Sequence, residues 1–172
     1  MTVLNSISST LFKSIATMVA ALMLASASYG GDTMVRTTNV SDHKLALKGY
    51  DAVAYFNQGA PVAGKSRFRH IHKGVEYRFS TAENRDRFAA KPAKYEPQYG
   101  GFCAFGASVG LKLEVDPEAF EIVEGKLYLN NSPEVHAMWL KDPSGRIKAA
   151  DRKWKNIRTM AAASLSPTPY DE

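Results

Sequence analysis

The residues of this sequence most suited to chemistry are its only cysteine, Cys103, the pair His70 and His72, and Met138. Thiolate, imidazole and thioether together make a donor set for copper or zinc. Cys103 follows Gly100-Gly101. A helix beginning near Gly101 would place the thiol in its first turn, where unpaired backbone amides favour the thiolate. That chemistry serves metal binding or redox exchange. The same residue also reads as a small buried hydrophobe between Phe102 and Phe105, since free cysteine is among the most buried residue types. His70 and His72 fall on one face of a strand by its period of two, a spacing that can chelate a metal. His136 and Met138 join a copper site only if their helix packs against Cys103. Gly106-Ala107-Ser108-Val109-Gly110 matches the G-x-S-x-G nucleophile elbow, but a helix rather than a strand is expected before Ser108, so it reads as a chance match.

These residues must be positioned by short elements. Ser66 to Ser80 is two alternating runs around Lys73-Gly74, a hairpin with Val75, Tyr77 and Phe79 on one face of its second strand and Phe68, His70 and His72 on one face of its first. Ser80-Thr81-Ala82-Glu83 has capping-box spacing and predicts a helix over 81–90. Pro92 ends that helix or begins another turn. A short helix is expected within 102–109, capped near Gly110. Residues 120–130 read as a second hairpin turning at Glu124-Gly125, with Ile122 and Tyr128 in one buried layer. Ser132-Pro133-Glu134 opens a helix carrying Val135, Met138 and Trp139 on one face. Asp142-Pro143-Ser144-Gly145 breaks it. A basic last helix follows over about 146–157, with Ile147, Ala150, Trp154 and Ile157 on one face and Asp151 and Lys155 as an exposed pair. No internal repeat is visible. The expected fold is a single small α+β domain, two β-hairpins interleaved with short helices and closed by a C-terminal helical pair.

The chain has 172 residues and a formal net charge of +5. Residues 1–27 read as a signal peptide: Lys13 is the one charge, 15–25 is an apolar run, and Ala25-Ser26-Ala27 is a cleavage site. The run is shorter than the about 20 residues that span a bilayer. Export to a bacterial periplasm, or secretion, is the expected localisation, with no transmembrane anchor after processing. Residues 28–47 read as an extended lead-in, 48–158 as the domain, and 159–172 as a flexible tail carrying Ser166-Pro167-Thr168-Pro169. One cysteine forbids an internal disulfide, so the core holds by packing. No Walker loop, dinucleotide fingerprint or nucleic-acid motif is present. The basic last helix reads as a solvated outer face.

Gly49-Tyr50-Asp51-Ala52-Val53-Ala54-Tyr55-Phe56, Tyr77-x-Phe79-Ser80, Phe88, Pro92-x-x-Tyr95 and Tyr99-Gly100-Gly101-Phe102-Cys103 resemble the exported branch of the YHS-domain proteins. Asp116-Pro117 and 126–130 fit the same branch, so the resemblance spans about 49–157. YHS domains sit beside or within metal-handling proteins, including heavy-metal transport ATPases, and carry cysteines suited to soft metal. Residue by residue, those thiols fall on Ala54, Ser80 and Asn84, and none is a cysteine here. A soft-metal site built from them is therefore absent.

Three functions follow as expectations. The first is an exported YHS-type binding module taking a transition metal, copper first, through Cys103 with a histidine or methionine. The second is a thiol-based redox protein or small enzyme at Cys103. The third is a structural or partner-binding domain without metal, using a surface of Tyr50, Asp51, Tyr55 and Tyr99 toward a small-molecule ligand or protein.

Overall fold

Both expected hairpins are present in the computed structural model, which describes residues 36–41 and 44–168. β1 (Lys65–His72) pairs antiparallel with β2 (Val75–Phe79), and β3 (Asp116–Val123) with β4 (Lys126–Asn130). The central residues of each turn have positive φ: 51° and 76° at Lys73 and Gly74, 50° and 71° at Glu124 and Gly125. This two-residue turn matches the twist of the strands, and glycine at its second position adopts positive φ without steric cost. The turn also fixes register. His70 stands opposite Tyr77, and Glu121 opposite Tyr128. Ile122 pairs with Leu127. Ile122 and Tyr128 therefore lie on opposite faces rather than in one layer, because a tight turn preserves the parity of cross-strand partners.

Six α-helices lie among the described residues: α1 (Ala54–Asn57), α2 (Ala82–Ala90), α3 (Pro92–Tyr95), α4 (Ala104–Ser108), α5 (Pro133–Trp139) and α6 (Pro143–Ile157). Thr81 caps α2 by accepting from the Asn84 amide, and Ser132 caps α5 by accepting from that of Val135. Asp142-Pro143 does not merely break α5. The Asp142 carboxylate accepts from the Gly145 amide and opens α6 with proline at its first position. The core runs through Tyr55, Phe79, Phe88, Leu127, Leu129 and Trp139, all buried. The domain is thus α+β, within the compact unit Met34–Glu172.

Its ends are tied down. Asn39 donates from its amide to Gly100 O and from Nδ2 to Gly101 O. A Cβ on Gly100 would stand 2.2 Å from Thr37 O, so the Gly-Gly pair admits the lead-in backbone. The lead-in ends as a ladder on β2, with Ala46 donating to Glu76 O and Glu76 donating to Lys44 O. Residues 159–168 are not a frayed tail: the Thr168 amide donates to Val109 O at 2.8 Å. Buried Lys112 holds both ends. Its ammonium donates to Met160 O (2.8 Å), Arg158 O (3.2 Å) and Arg36 O, beneath the rings of Phe102 and Trp154. The leader expected over 1–27 lies outside the described residues. Among those described, no helix is long and apolar enough to cross a membrane.

The two hairpins belong to an internal repeat. β1 begins at residue 65 and β3 at 116; β2 begins at 75 and β4 at 126; α2 begins at 82 and α5 at 133; α3 begins at 92 and α6 at 143. Every offset is 51 residues. A register shift interrupts both ladders at the same place, after Lys65 and after Asp116. A 3-10 turn precedes each unit, at Leu47–Gly49 and Gln98–Gly101, with a positive-φ residue at Lys48 in one and Tyr99 in the other. Gly74/Gly125, Tyr77/Tyr128, Glu83/Glu134 and Pro92/Pro143 are identical between units, and Phe88 matches Trp139 as the buried ring on the hairpin.

Candidate functional site

Asp51 is the most heavily engaged polar side chain of the first unit. It is fully buried. Oδ1 accepts from the Val53 and Ala54 amides at 2.9 and 3.2 Å, nucleating α1. Oδ2 accepts from the Ser80 amide (2.8 Å), the Ser80 hydroxyl (2.7 Å) and Asn84 Nδ2 (2.7 Å). Asn57 Nδ2 then donates to Asn84 Oδ1 at 3.0 Å. Five donors saturate the carboxylate, as burial of such a group demands. Each buried donor left unpaired would cost about 1–3 kcal/mol. The Ala54 amide and the side chains of Ser80 and Asn84 all donate to this one carboxylate.

Cys103 stands at the equivalent place in the second unit. The Asp51 amide donates to Val62 O and the Cys103 amide to Leu113 O, donors 52 and acceptors 51 residues apart, so one extra residue stands ahead of the thiol in the second unit. Cys103 is the N-cap of α4, its sulfur accepting from the Gly106 amide at 3.3 Å. Asn130 Oδ1 lies 3.8 Å from the sulfur and accepts from the Phe105 amide at 3.1 Å. The thiol is fully buried, and desolvation, only partly offset by amides of Gly106, Asn131 and Phe105, pushes its pKa up to about 11. Of the two readings of this residue, the small buried one matches the structure and the helix-start thiolate does not. Proximity to a helix start is outweighed by removal of the charged form from water. Where the first unit sets Asn84 against its carboxylate, the second has buried Val135 at the matching position. A neutral thiol needs fewer donors.

The other expected ligands do not join Cys103. His70 and His72 do share a face, but it is the inward one, where both rings pack edge-on against Phe88 at 5.9 and 5.8 Å. His72 Nε2 is 3.3 Å from Glu96 Oε1, outside hydrogen-bonding geometry. Met138 is half-buried on α5, and His136 on the same helix faces Glu121 at 3.6 Å. Among the described residues no three His, Cys, Asp or Glu side chains converge on one point.

The expected aromatic surface is mostly core. Tyr55 is buried, donates to Pro117 O at 3.0 Å and packs edge-on against Phe120 at 4.8 Å. Tyr99 is buried and donates to Asp151 Oδ1 at 3.0 Å, so Asp151 serves Tyr99 in place of the expected Lys155. Burial raises the phenol pKa of both, the acid at Asp151 adding to the effect at Tyr99. Of the four residues only Tyr50 is half-exposed. Ser108 is fully buried, donating to Phe105 O at 2.7 Å and accepting from Arg146, whose guanidinium stacks on Phe105 at 4.3 Å. It is a packing residue, not a nucleophile. Sequence reasoning did not single out Asn130 or Lys112; a polar residue closing an apolar strand, and a lysine between two leucines, were the available signals.

Fold and site thus define a small α+β domain in which the buried Asp51 carboxylate is met by backbone and side-chain donors of the domain itself, while buried Asn130 Nδ2 beside the thiol has no hydrogen-bond partner. Neither a family model, nor a curated protein, nor a solved structure matches the chain.

Proposed function

We propose that this chain is an exported, non-catalytic partner-binding domain of the YHS type in which the metal constellation has been replaced by a hydrogen-bonded polar cluster. The observation that carries this reading is the convergence of residues 54, 80 and 84 on Asp51, whose oxygens are fully occupied by protein donors. Residues scattered over thirty positions of sequence would meet in this way if they descended from a common ligand set. The donor chemistry weighs against Cys103 as a soft-metal or redox centre: it is buried, protonated and capped by an amide.

Competitive titration of the reduced protein with Cu(I) and Zn(II) against a chromophoric chelator tests it. Wild type and Cys103→Ala should compete equally weakly. A one-to-one site in wild type that disappears in Cys103→Ala would restore the metal-binding function and overturn the proposal.

A further inference from the structure

The two units differ most at the outer face of their hairpins. In the second unit this face is Phe120 and Ile122 on β3 with Leu129 and Leu127 on β4, covered by Tyr55 of the first unit. The matching residues of the first unit are Arg69 and Ile71 on β1 with Arg78 and Glu76 on β2. Side-chain exposure is 66 % at Arg69 and 37 % at Arg78, and Ile71 is 56 % exposed. A face that is apolar and covered in one repeat is cationic and open in the other.

The charges there are not internally balanced. Arg69 and Arg78 stand directly opposite each other, an arrangement that destabilises a sheet. Glu76 serves both, at 3.6 and 2.7 Å. Arg67, exposed two residues earlier on β1, has no carboxylate partner among the described residues and lies over the Phe68 ring. Two guanidinium groups thus share one acid, and a third lies exposed on the same strand. An anionic surface would relieve that repulsion, and arginine pairs with phosphate in a bidentate fork. Ile71 projects beside these cations near the hairpin tip. Its cross-strand partner is Glu76, and the Arg69–Arg78 pair stands next along the ladder; an aliphatic side chain beside paired cations matches the boundary between phosphate headgroups and acyl chains.

We propose that the outer face of the β1–β2 hairpin docks on anionic phospholipid bilayers, with Arg67, Arg69 and Arg78 at the phosphates and Ile71 entering the interface. The proposal names the partner of the binding domain inferred above. It does not depend on the absence of metal, so failure in the metal titration and failure here are separate results.

The buried state of Cys103 provides a local probe, because Ile71→Cys places the one accessible thiol on this face. The full chain carrying this substitution is labelled with an environment-sensitive fluorophore and titrated with vesicles of phosphatidylglycerol and phosphatidylcholine, or of phosphatidylcholine alone. The label at position 71 should shift to the blue with the anionic vesicles only. Each cation near such a surface is worth about fivefold in partition, so Arg69→Gln with Arg78→Gln should raise the lipid needed for half the shift by more than about tenfold. A label at exposed Lys148 on α6, introduced by Lys148→Cys, should not shift. An equal shift at position 148, an equal response to neutral vesicles, or no effect of the arginine substitutions overturns the proposal. A shift caused by polyglutamate but not by vesicles also overturns it, and assigns the face to an acidic polypeptide.

Discussion

Cys103 shows how much a residue's environment, rather than its type, decides its chemistry. Its thiol takes the place in the second unit that the Asp51 carboxylate takes in the first, and it pays for burial by staying protonated. Its pKa of about 11 is raised from an ordinary 9.0. A group with a raised pKa contributes stability in full below the unfolded value and loses it as pH climbs through the folded one. Folding stability should therefore fall between about pH 9 and pH 11, by about 2–3 kcal/mol from this group alone. Tyr128, raised to about 12, and the other buried phenols add a loss that begins about one unit higher. Urea unfolding of wild type and Cys103→Ala at stepped pH measures the difference. The variant should lose the earlier part of the decline, and parallel curves would refute the assignment. At this scale the sequence was legible in residue type and left two states open, a buried thiol and a helix-start thiolate. The thiol at a helix start was visible, but its contact with Asn130 is made across 27 residues of chain.

Hairpins and capped helices were the most legible elements, because their signals are local. Lys73-Gly74 and Ser132-Pro133 each determine geometry within four residues. The parity of β3 against β4 was misread by one position, enough to turn Ile122 away from Tyr128. What sequence could not convey was the fastening of chain ends, which runs through Lys112 to carbonyls at residues 36, 158 and 160. Lys112→Met keeps most of the apolar stem but leaves three carbonyls without their donor. It should destabilise the domain by about 2–4 kcal/mol and, more specifically, free the C-terminal segment. Hydrogen exchange at the Thr168 amide reads this directly. Protection there should collapse in the variant while amides of β2 and β4 stay protected, and unchanged protection at Thr168 would remove the clamp from the account.

At the scale of the whole molecule the duplication was invisible in sequence because so few positions are identical between the units. A fold conserves turn geometry, caps and ring placement far more tightly than side-chain identity. The polar centre has diverged from carboxylate to thiol, and the outer hairpin face from arginine to leucine. The identities that remain are few, among them the turn glycines Gly74 and Gly125, the helix-start prolines Pro92 and Pro143, and the buried rings Tyr77 and Tyr128.

The Lys112 clamp also bears on chain connectivity. Since Arg36 O and Met160 O both accept from one ammonium, these distant points of the sequence lie within two hydrogen-bond lengths, about 6 Å. A few glycine and serine residues suffice to close that gap, and exposed Lys91, just ahead of α3, offers a place to open the chain. Such a circular permutant, running from Pro92 through Met160 and the linker to Arg36 and on to Lys91, would present α3 and the second unit before the rest of the first. It should fold with the wild-type circular-dichroism spectrum and a single cooperative melt. Loss of that melt would mean that the present order of the units, and not only their contacts, is required.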